Sequence, residues 1–292
     1  MTQYIHYLPG GGLGDVYREA VWHNAVGILK RWKTENPTAH LTVMLMSHNP
    51  SSADLLYGQE WIDEIKAMPF PATEKPDWND AWVEYAAEFD GKVELRFNIA
   101  DRRSTYRAGF AHLRGATNYE FIPAIGTSWQ FVYTAEELAT IENYAGRLVL
   151  HFNAGEDVRA VPQELRDVVL NHLPLSNRRV IIGANYQRTG HSEETGVAFS
   201  PRVLAAIIAR SRGVLGTDSA PCYFASCLGV PRCMIYPPDV AFDRMTRGDN
   251  NWDWYFGLKN PDNLFVRLPA GEKAQTEIIR WIHERMEGLC DA

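Results

Sequence analysis

GVLGTDSAPCYFASCLGVPRCMIYPP, residues 213–238, carries a strand, a polar turn, a helix and a second strand in immediate succession. The run 213–218 is apolar until it meets the small polar residues Thr217, Asp218 and Ser219, followed by Ala220. Pro221 comes next, and proline suits a first helical turn, where its missing N–H leaves nothing unpaired. A helix is therefore expected over 219–228, with Cys222, Phe224, Ala225, Leu228 and Val230 packing on a sheet. PRCMIYPP then opens the next strand. Strand–helix–strand units of this length build parallel sheets covered by helices on both faces.

The pattern repeats outward. RLVLHFN (147–153) and RRVIIGAN (178–185) read as strands, and a loop containing Gly155 leads into a helix near 162–173. Ser200 and Pro201 supply the N-cap and first position of a helix through Ala209. Thr134 and Glu137 form a capping box for a helix ending at Ala145, closed by Gly146. Residues 272–287 make a last amphipathic helix. In the first half, 3–8, 40–46, 62–68 and 92–98 read as strands, and 15–33, 79–89 and 103–114 as helices. Asn49, Pro50, Ser51 and Ser52 mark a turn. The expected fold is α/β, with two Rossmann-like domains, 1–135 and 136–292, whose parallel sheets face an interdomain cleft. The last helix either stays with the second domain or packs back on the first.

With 292 residues the chain exceeds one small core and suits two domains of about 150 residues each. Its 46% apolar and 22% charged residues are an ordinary globular mixture, so a packed core is affordable in both halves. A net charge of −7 argues against a protein that coats nucleic acid, although a local basic patch stays open. No apolar run reaches the length of a membrane span, and Tyr4–Leu8 is too short for a signal-peptide core, so a cytoplasmic location is expected. Cys222, Cys227, Cys233 and Cys290 form no CxxC pair, and the first three are expected as buried free thiols. No HExxH or calcium-loop pattern occurs, so neither a metal nor a cofactor is expected.

In open parallel sheets, ligands bind beyond the carboxyl ends of the strands. Three strand-to-helix loops stand out there. The first is GGGLGD, residues 10–15, where Gly12 and Gly14 let the backbone approach a ligand. It is not a dinucleotide fingerprint, since the third glycine would fall at Asp15 or Val16. Asp15 is either a reacting carboxylate or an N-cap. The second is HFNAGEDVRAVPQEL, residues 151–165, in which Arg159 either reaches a phosphate or lies solvated on the surface. The third is the 215–231 turn, where backbone N–H groups and the helix dipole favour an anion and Ser219 adds a hydroxyl donor. Asn153, Gly155, Gly183, Asn185 and Tyr186 are further donor-site candidates by position.

LGTDSAPCYFASCLGVPRCMIYPP resembles the signature of family 9 glycosyltransferases, the ADP-heptose:lipopolysaccharide heptosyltransferase group. Asp218, Ser219, Ala220 and Ala225 stand at its aspartate, threonine, glycine and alanine, and Leu228, Gly229 and Pro231 match its tail. Tyr223 stands where the family has histidine. LGDVYREAVW looks like the family's Gly-Asp turn, whose aspartate is proposed as catalytic base, which points to Asp15. Arg159-Ala160-Val161-Pro162 looks like its Lys-x-Trp-Pro segment, with arginine for the phosphate-contacting lysine and no tryptophan.

The resemblance implies a GT-B fold and an inverting, metal-independent glycosyltransferase. Its second domain would hold a nucleotide sugar, as substrate rather than cofactor. Asp15 would take the proton of the acceptor hydroxyl. Arg159 and the N–H groups after Asp218 would stabilise the departing diphosphate. Two alternatives stay open: a DNA-base glycosyltransferase, and a non-catalytic nucleotide or nucleotide-sugar binding protein. Arg103, Arg107 and Arg114 share one predicted helix face, flanked by Arg102. They form either a solvated surface or a cradle for a saccharide, phosphorylated or nucleic-acid acceptor. Trp252, Trp254, Tyr255 and Phe256 either stack on a sugar or base or close the core.

Overall fold

The computed structural model describes residues 3–9, 13–17, 30, 33–47, 50–69, 96–97, 116–117, 131–153, 160–173, 176–183, 191–192, 195–217, 219–236 and 260–287. The chain divides into two compact units, Met1–Val132 and Tyr133–Ala292.

In the first unit, strands β1 (Gln3–Pro9), β2 (His40–Ser47) and β3 (Glu64–Pro69) form a parallel sheet in the order β1-β2-β3. A short parallel pair, β4 (Arg96–Phe97) and β5 (Ala116–Thr117), has β4 close to β1. The parallel order β3-β2-β1 is that of one half of a doubly wound sheet. Helix α1 (Leu13–Tyr17) starts beyond the carboxyl end of β1. Of the expected turn at 49–52, residues 50–52 begin a 3-10 helix, Pro50–Leu56, which buries Leu55 and Leu56 and contacts β2. Asp63 accepts from Lys33 Nζ at 2.6 Å and from the Leu41 N–H at 2.7 Å, fixing the start of β3 beside β2.

The second unit opens with α2 (Ala135–Tyr144), and its capping box is present: Glu137 N–H donates to Thr134 Oγ1 at 3.2 Å and Thr134 N–H to Glu137 Oε2 at 2.8 Å. Then follow β6 (Leu148–His151), α3 (Gln163–His172), β7 (Arg179–Gly183), β8 (His191–Ser192) and α4 (Pro201–Ala209). The unit ends with β9 (Gly213–Thr217), α5 (Ala220–Leu228), β10 (Arg232–Tyr236), β11 (Leu264–Arg267) and α6 (Glu272–Met286). The sheet order is β11-β10-β9-β6-β7-β8. All neighbours are parallel except β7 and β8. The expectation of a wholly parallel sheet is thus corrected at one edge. An antiparallel edge strand of two residues closes the sheet there, a common finish for large parallel sheets.

Alternation along the strands sorts the core into two layers. Leu148, Leu150, Ile181, Leu215, Cys233, Ile235 and Val266 share one buried cluster with Leu165 and Val169 of α3 and Ile278, Trp281, Ile282 and Met286 of α6. The closing helix therefore packs on the second unit's own sheet. Val149, Val180, Ile182, Val214 and Met234 are buried on the opposite face. Coverage on both faces explains why RVIIG, GVLGT and RCMIY are nearly continuous apolar runs. At Gly213 an added Cβ would lie 2.8 Å from the Trp281 ring, so glycine makes room for the closing helix. Helix α5 ends at Gly229, with φ +69°, and Val230 N–H returns to Ala225 O at 2.9 Å.

Cys222 and Cys233 are buried free thiols and Cys227 is half-buried; Cys290 lies outside the described residues. Burial pushes the Cys233 thiol well up, and neighbouring Cys222 adds to this, which keeps it inert. Among the described residues no helix is long and apolar enough to cross a membrane. The helices expected at 79–89 and 103–114, most of 15–33, and the aromatic stretch at 252–256 lie outside the described residues.

Candidate functional site

The second unit's connectivity creates a crevice. Strands β6 and β9 are neighbours, but the chain leaves β6 for β7 on one side and β9 for β10 on the other. Loops that diverge in this way open a gap at the carboxyl ends of the two strands, the topological switch point where doubly wound sheets bind ligands.

The last register pair at this point is His151 opposite Gly216. A Cβ on residue 216 would lie 2.3 Å from the His151 carbonyl oxygen, so only glycine allows the approach. His151 is buried, and its Nδ1 lies 2.9 Å from Ile182 O. A carbonyl only accepts, so Nδ1 carries the proton and Nε2 keeps its lone pair. Burial lowers the His151 pKa to about 4; the Ile182 contact opposes this and the Arg166 charge adds to it. The ring is therefore neutral near pH 7.

Asn153 follows β6, Gly183 ends β7, and Ser219 and Ala220 start α5 after β9. The fold thus brings four expected donor-site residues to the carboxyl ends of three adjacent strands. Tyr223 lies in the first turn of α5, half-buried, with its N–H donating to Ser219 O at 3.2 Å.

Two side chains are occupied in ways the sequence does not announce. Ser219 is the N-cap of α5, yet its hydroxyl turns back and donates to Thr217 O at 3.1 Å. It makes no side-chain cap. The hydroxyl expected as an anion donor is thus bonded within the turn here, and no side chain caps the backbone N–H groups at this helix start. Asn153 Oδ1 accepts from Arg166 Nη2 at 2.5 Å.

Arg166 and Arg232 are missed by reading for ligand contacts. Arg166 donates from Nε to Val161 O at 2.8 Å and from Nη2 to Phe152 O at 3.3 Å, and its guanidinium lies 5.6 Å from the Phe152 ring centroid. Val161 N–H also donates to Phe152 O at 2.8 Å. Both ends of the segment between β6 and α3 are thereby tied at one neck. A signal existed: a cation at the fourth position of a helix runs against the dipole, so Arg166 needed another reason to be there. Arg232 is fully buried beneath α5, donating from Nη1 to Cys222 O at 3.1 Å and lying over the Phe265 ring at 5.4 Å.

In the first unit, α1 already begins at Leu13, so Asp15 lies inside its first turn, beyond the carboxyl end of β1, and is not the N-cap. Gly14 is buried. Gly12, Gly155, Arg159, Asn185, Tyr186, Asp218, Arg103, Arg107 and Arg114 lie outside the described residues.

No protein-family profile matches the chain, and no curated protein matches its sequence. Solved structures match nearly its whole length. A glycosyl transferase family 9 structure from Veillonella parvula DSM 2008 aligns with TM-score 0.57 and 12% identity, covering 98% of this chain and 97% of that one. E. coli ADP-heptose lps heptosyltransferase II aligns with TM-score 0.52 and 12% identity, covering 97% and 98%. E. coli heptosyltransferase WaaC, solved with ADP, aligns with TM-score 0.50 and 13% identity, covering 97% and 99%. The fold is the GT-B type expected from the sequence, built of two Rossmann-like α/β units.

Proposed function

We propose that the chain is a glycosyltransferase that moves a sugar from a nucleotide-sugar donor to an acceptor hydroxyl. The observation that carries this reading is the switch point of the second unit. There Gly216 clears the β6–β9 junction, Arg166 closes the neck of the β6–α3 segment, and α5 presents its N-terminus without a side-chain cap. Within a GT-B fold, such a strand-end crevice suits a diphosphate. Solved E. coli WaaC holds ADP, so ADP-sugars are the first donors to test.

In this reading the donor's diphosphate lies against the start of α5 with Arg159 beside it. Negative charge grows on the leaving diphosphate as the glycosidic bond breaks. Helix-start N–H groups and a guanidinium stabilise that charge most when it is fully developed, which lowers the barrier rather than merely holding the donor. The reading assigns the charge neutralisation to these groups and no step to a metal. Asp15, from the first unit, removes the proton of the acceptor hydroxyl as it attacks the anomeric carbon opposite the leaving group, so the anomeric configuration inverts. Such general-base help contributes roughly 10²–10⁴-fold. The acceptor is a saccharide, a phosphorylated compound or a nucleic acid, and the reaction is placed in the cytoplasm.

The test is release of nucleoside diphosphate from ADP-, UDP- and GDP-sugars with and without a panel of acceptors. Asp15→Asn is expected to abolish transfer while nucleotide affinity stays within a few fold; Arg159→Ala is expected to weaken donor binding and slow transfer. Full turnover by Asp15→Asn removes that residue from the mechanism. Tyr223, in place of the histidine of similar signatures, favours a second reading, a nucleotide-binding protein without transfer. Tight nucleotide binding with no acceptor-stimulated release would select it.

A further inference from the structure

At the end of α3 away from the switch point stands a pair of side chains that the proposed reaction does not use. His172 is the last residue of α3, and His283 lies in the last turn of α6. Both residues are exposed. His172 Nδ1 and His283 Nε2 are 3.3 Å apart, with ring centroids 5.3 Å apart and planes tilted by 57°. The two backbones are preset, because Leu165 and Val169 of α3 and Ile278, Trp281, Ile282 and Met286 of α6 belong to one buried cluster. Only the imidazole rings have freedom to turn.

A tetrahedral metal bound by nitrogen at 2.0–2.1 Å holds two of its ligand atoms about 3.3–3.4 Å apart. The separation of the two facing nitrogens equals that edge. We propose that His172 and His283 form a binding site for a borderline divalent transition cation, Zn²⁺, Ni²⁺ or Cu²⁺, that staples the closing helix to α3. Each facing nitrogen supplies a lone pair to the metal, and each ring keeps its proton on the remote nitrogen, Nε2 of His172 and Nδ1 of His283. In the metal-free neutral pair, one facing nitrogen carries the proton of the shared hydrogen bond. That ring changes tautomer on binding, and no proton is released from the neutral pair.

Among the described residues no group of three His, Cys, Asp or Glu side chains is placed to hold a metal, so the proposed site rests on the two imidazoles. Imidazole nitrogen selects Zn²⁺, Ni²⁺ and Cu²⁺ over Mg²⁺ and Ca²⁺, which require oxygen ligands. The two histidines are 111 positions apart in sequence, so the unfolded chain does not present them together. Metal binding is then linked to folding, and it stabilises the native state.

The experiment uses the intact chain without an affinity tag. Calorimetric titration with NiCl₂ and ZnCl₂ is compared with MgCl₂, and thermal unfolding is followed at each metal concentration. The expected result is saturable one-to-one binding of Ni²⁺ or Zn²⁺, reversed by EDTA. The folded-to-unfolded ratio should rise about 100-fold when free metal is 100 times the dissociation constant. His172→Ala and His283→Ala should each remove both the binding and the shift, while the metal-free unfolding midpoint is kept. His172→Gln and His283→Gln repeat the comparison with more of the side-chain bulk retained. The chain has nine histidines, so the variants decide where binding occurs. Absence of one-to-one binding overturns the proposal, as does a shift that survives both pairs of variants or one that Mg²⁺ reproduces.

Discussion

Replacing Arg166 by alanine removes its ties to Phe152, Asn153 and Val161, the residues that flank the β6–α3 connection. Arg166 donates to Val161 O, Phe152 O and Asn153 Oδ1 at 2.8, 3.3 and 2.5 Å. Phe152 O keeps a second donor, the Val161 N–H at 2.8 Å, so its loss is small. Val161 O and Asn153 Oδ1 lose a charged donor in a half-buried setting, at about 1–1.5 kcal/mol each. The predicted loss of stability is therefore about 2–3 kcal/mol, read as a shift in the urea midpoint with unchanged slope. Amide exchange at 152–153 and 160–161 should accelerate more than exchange in β9 or β10. If the neck also sets donor geometry, nucleotide affinity should fall about tenfold or more, equal to roughly 1.4 kcal/mol. Arg166→Lys keeps the charge but not the planar fork, so it should recover stability only partly. A variant that loses the stability yet binds nucleoside diphosphate as tightly as wild type refutes the link between neck and ligand. A variant with wild-type stability refutes the neck itself.

Other perturbations have equally definite outcomes. Gly216→Ala pushes a methyl group into the His151 carbonyl and should cost about 1–3 kcal/mol; a neutral effect in urea unfolding would show that the β6–β9 junction has room. His151 has a folded pKa of about 4 against 6.5 when unfolded, so the unfolded chain binds the extra proton first on acidification. Stability from this group is complete above pH 6.5 and drains as pH falls towards 4, by ~3 kcal/mol in total. His151→Gln should flatten that part of the stability–pH curve, and an unchanged curve contradicts the assignment. Glu137 closes the cap of α2 and also receives the nearly buried Arg202 fork at 2.6 and 3.2 Å. Glu137→Ala should therefore cost about 3 kcal/mol or more, well beyond the ~1 kcal/mol of a lost cap alone.

The second unit was largely legible because its signals are local and redundant. Thr134 with Glu137 and Ser200 with Pro201 mark helix starts that the structure reproduces, and Gly229 ends α5 in the left-handed conformation. Near-continuous apolar runs gave β6, β7, β9 and β10 because both faces of the sheet are covered. What escaped depends on partners distant in sequence. LFVR (264–267) pairs with β10 as β11, and Val266 alone of its four residues is buried, so no long apolar run announces it. The antiparallel β8 has just two residues and no pattern of its own. At the site, position relative to strand ends was readable, but side-chain direction was not. The Ser219 hydroxyl, read as an anion donor, bonds Thr217 O, and Asn153 Oδ1 accepts from Arg166. The neutral, single-tautomer state of His151 was not readable either, since it comes from burial and from Ile182, 31 residues away.

Hydrogen exchange of the full chain, with and without saturating ADP, UDP or GDP, reads the proposed ligand position directly. Protection should concentrate at three places: 151–153 with 160–161, the end of β7 at Gly183, and Thr217 to Ala220. Protection confined to other parts of the chain, or no protection by any of the three nucleotides, contradicts a diphosphate held at the β6–β9 switch point.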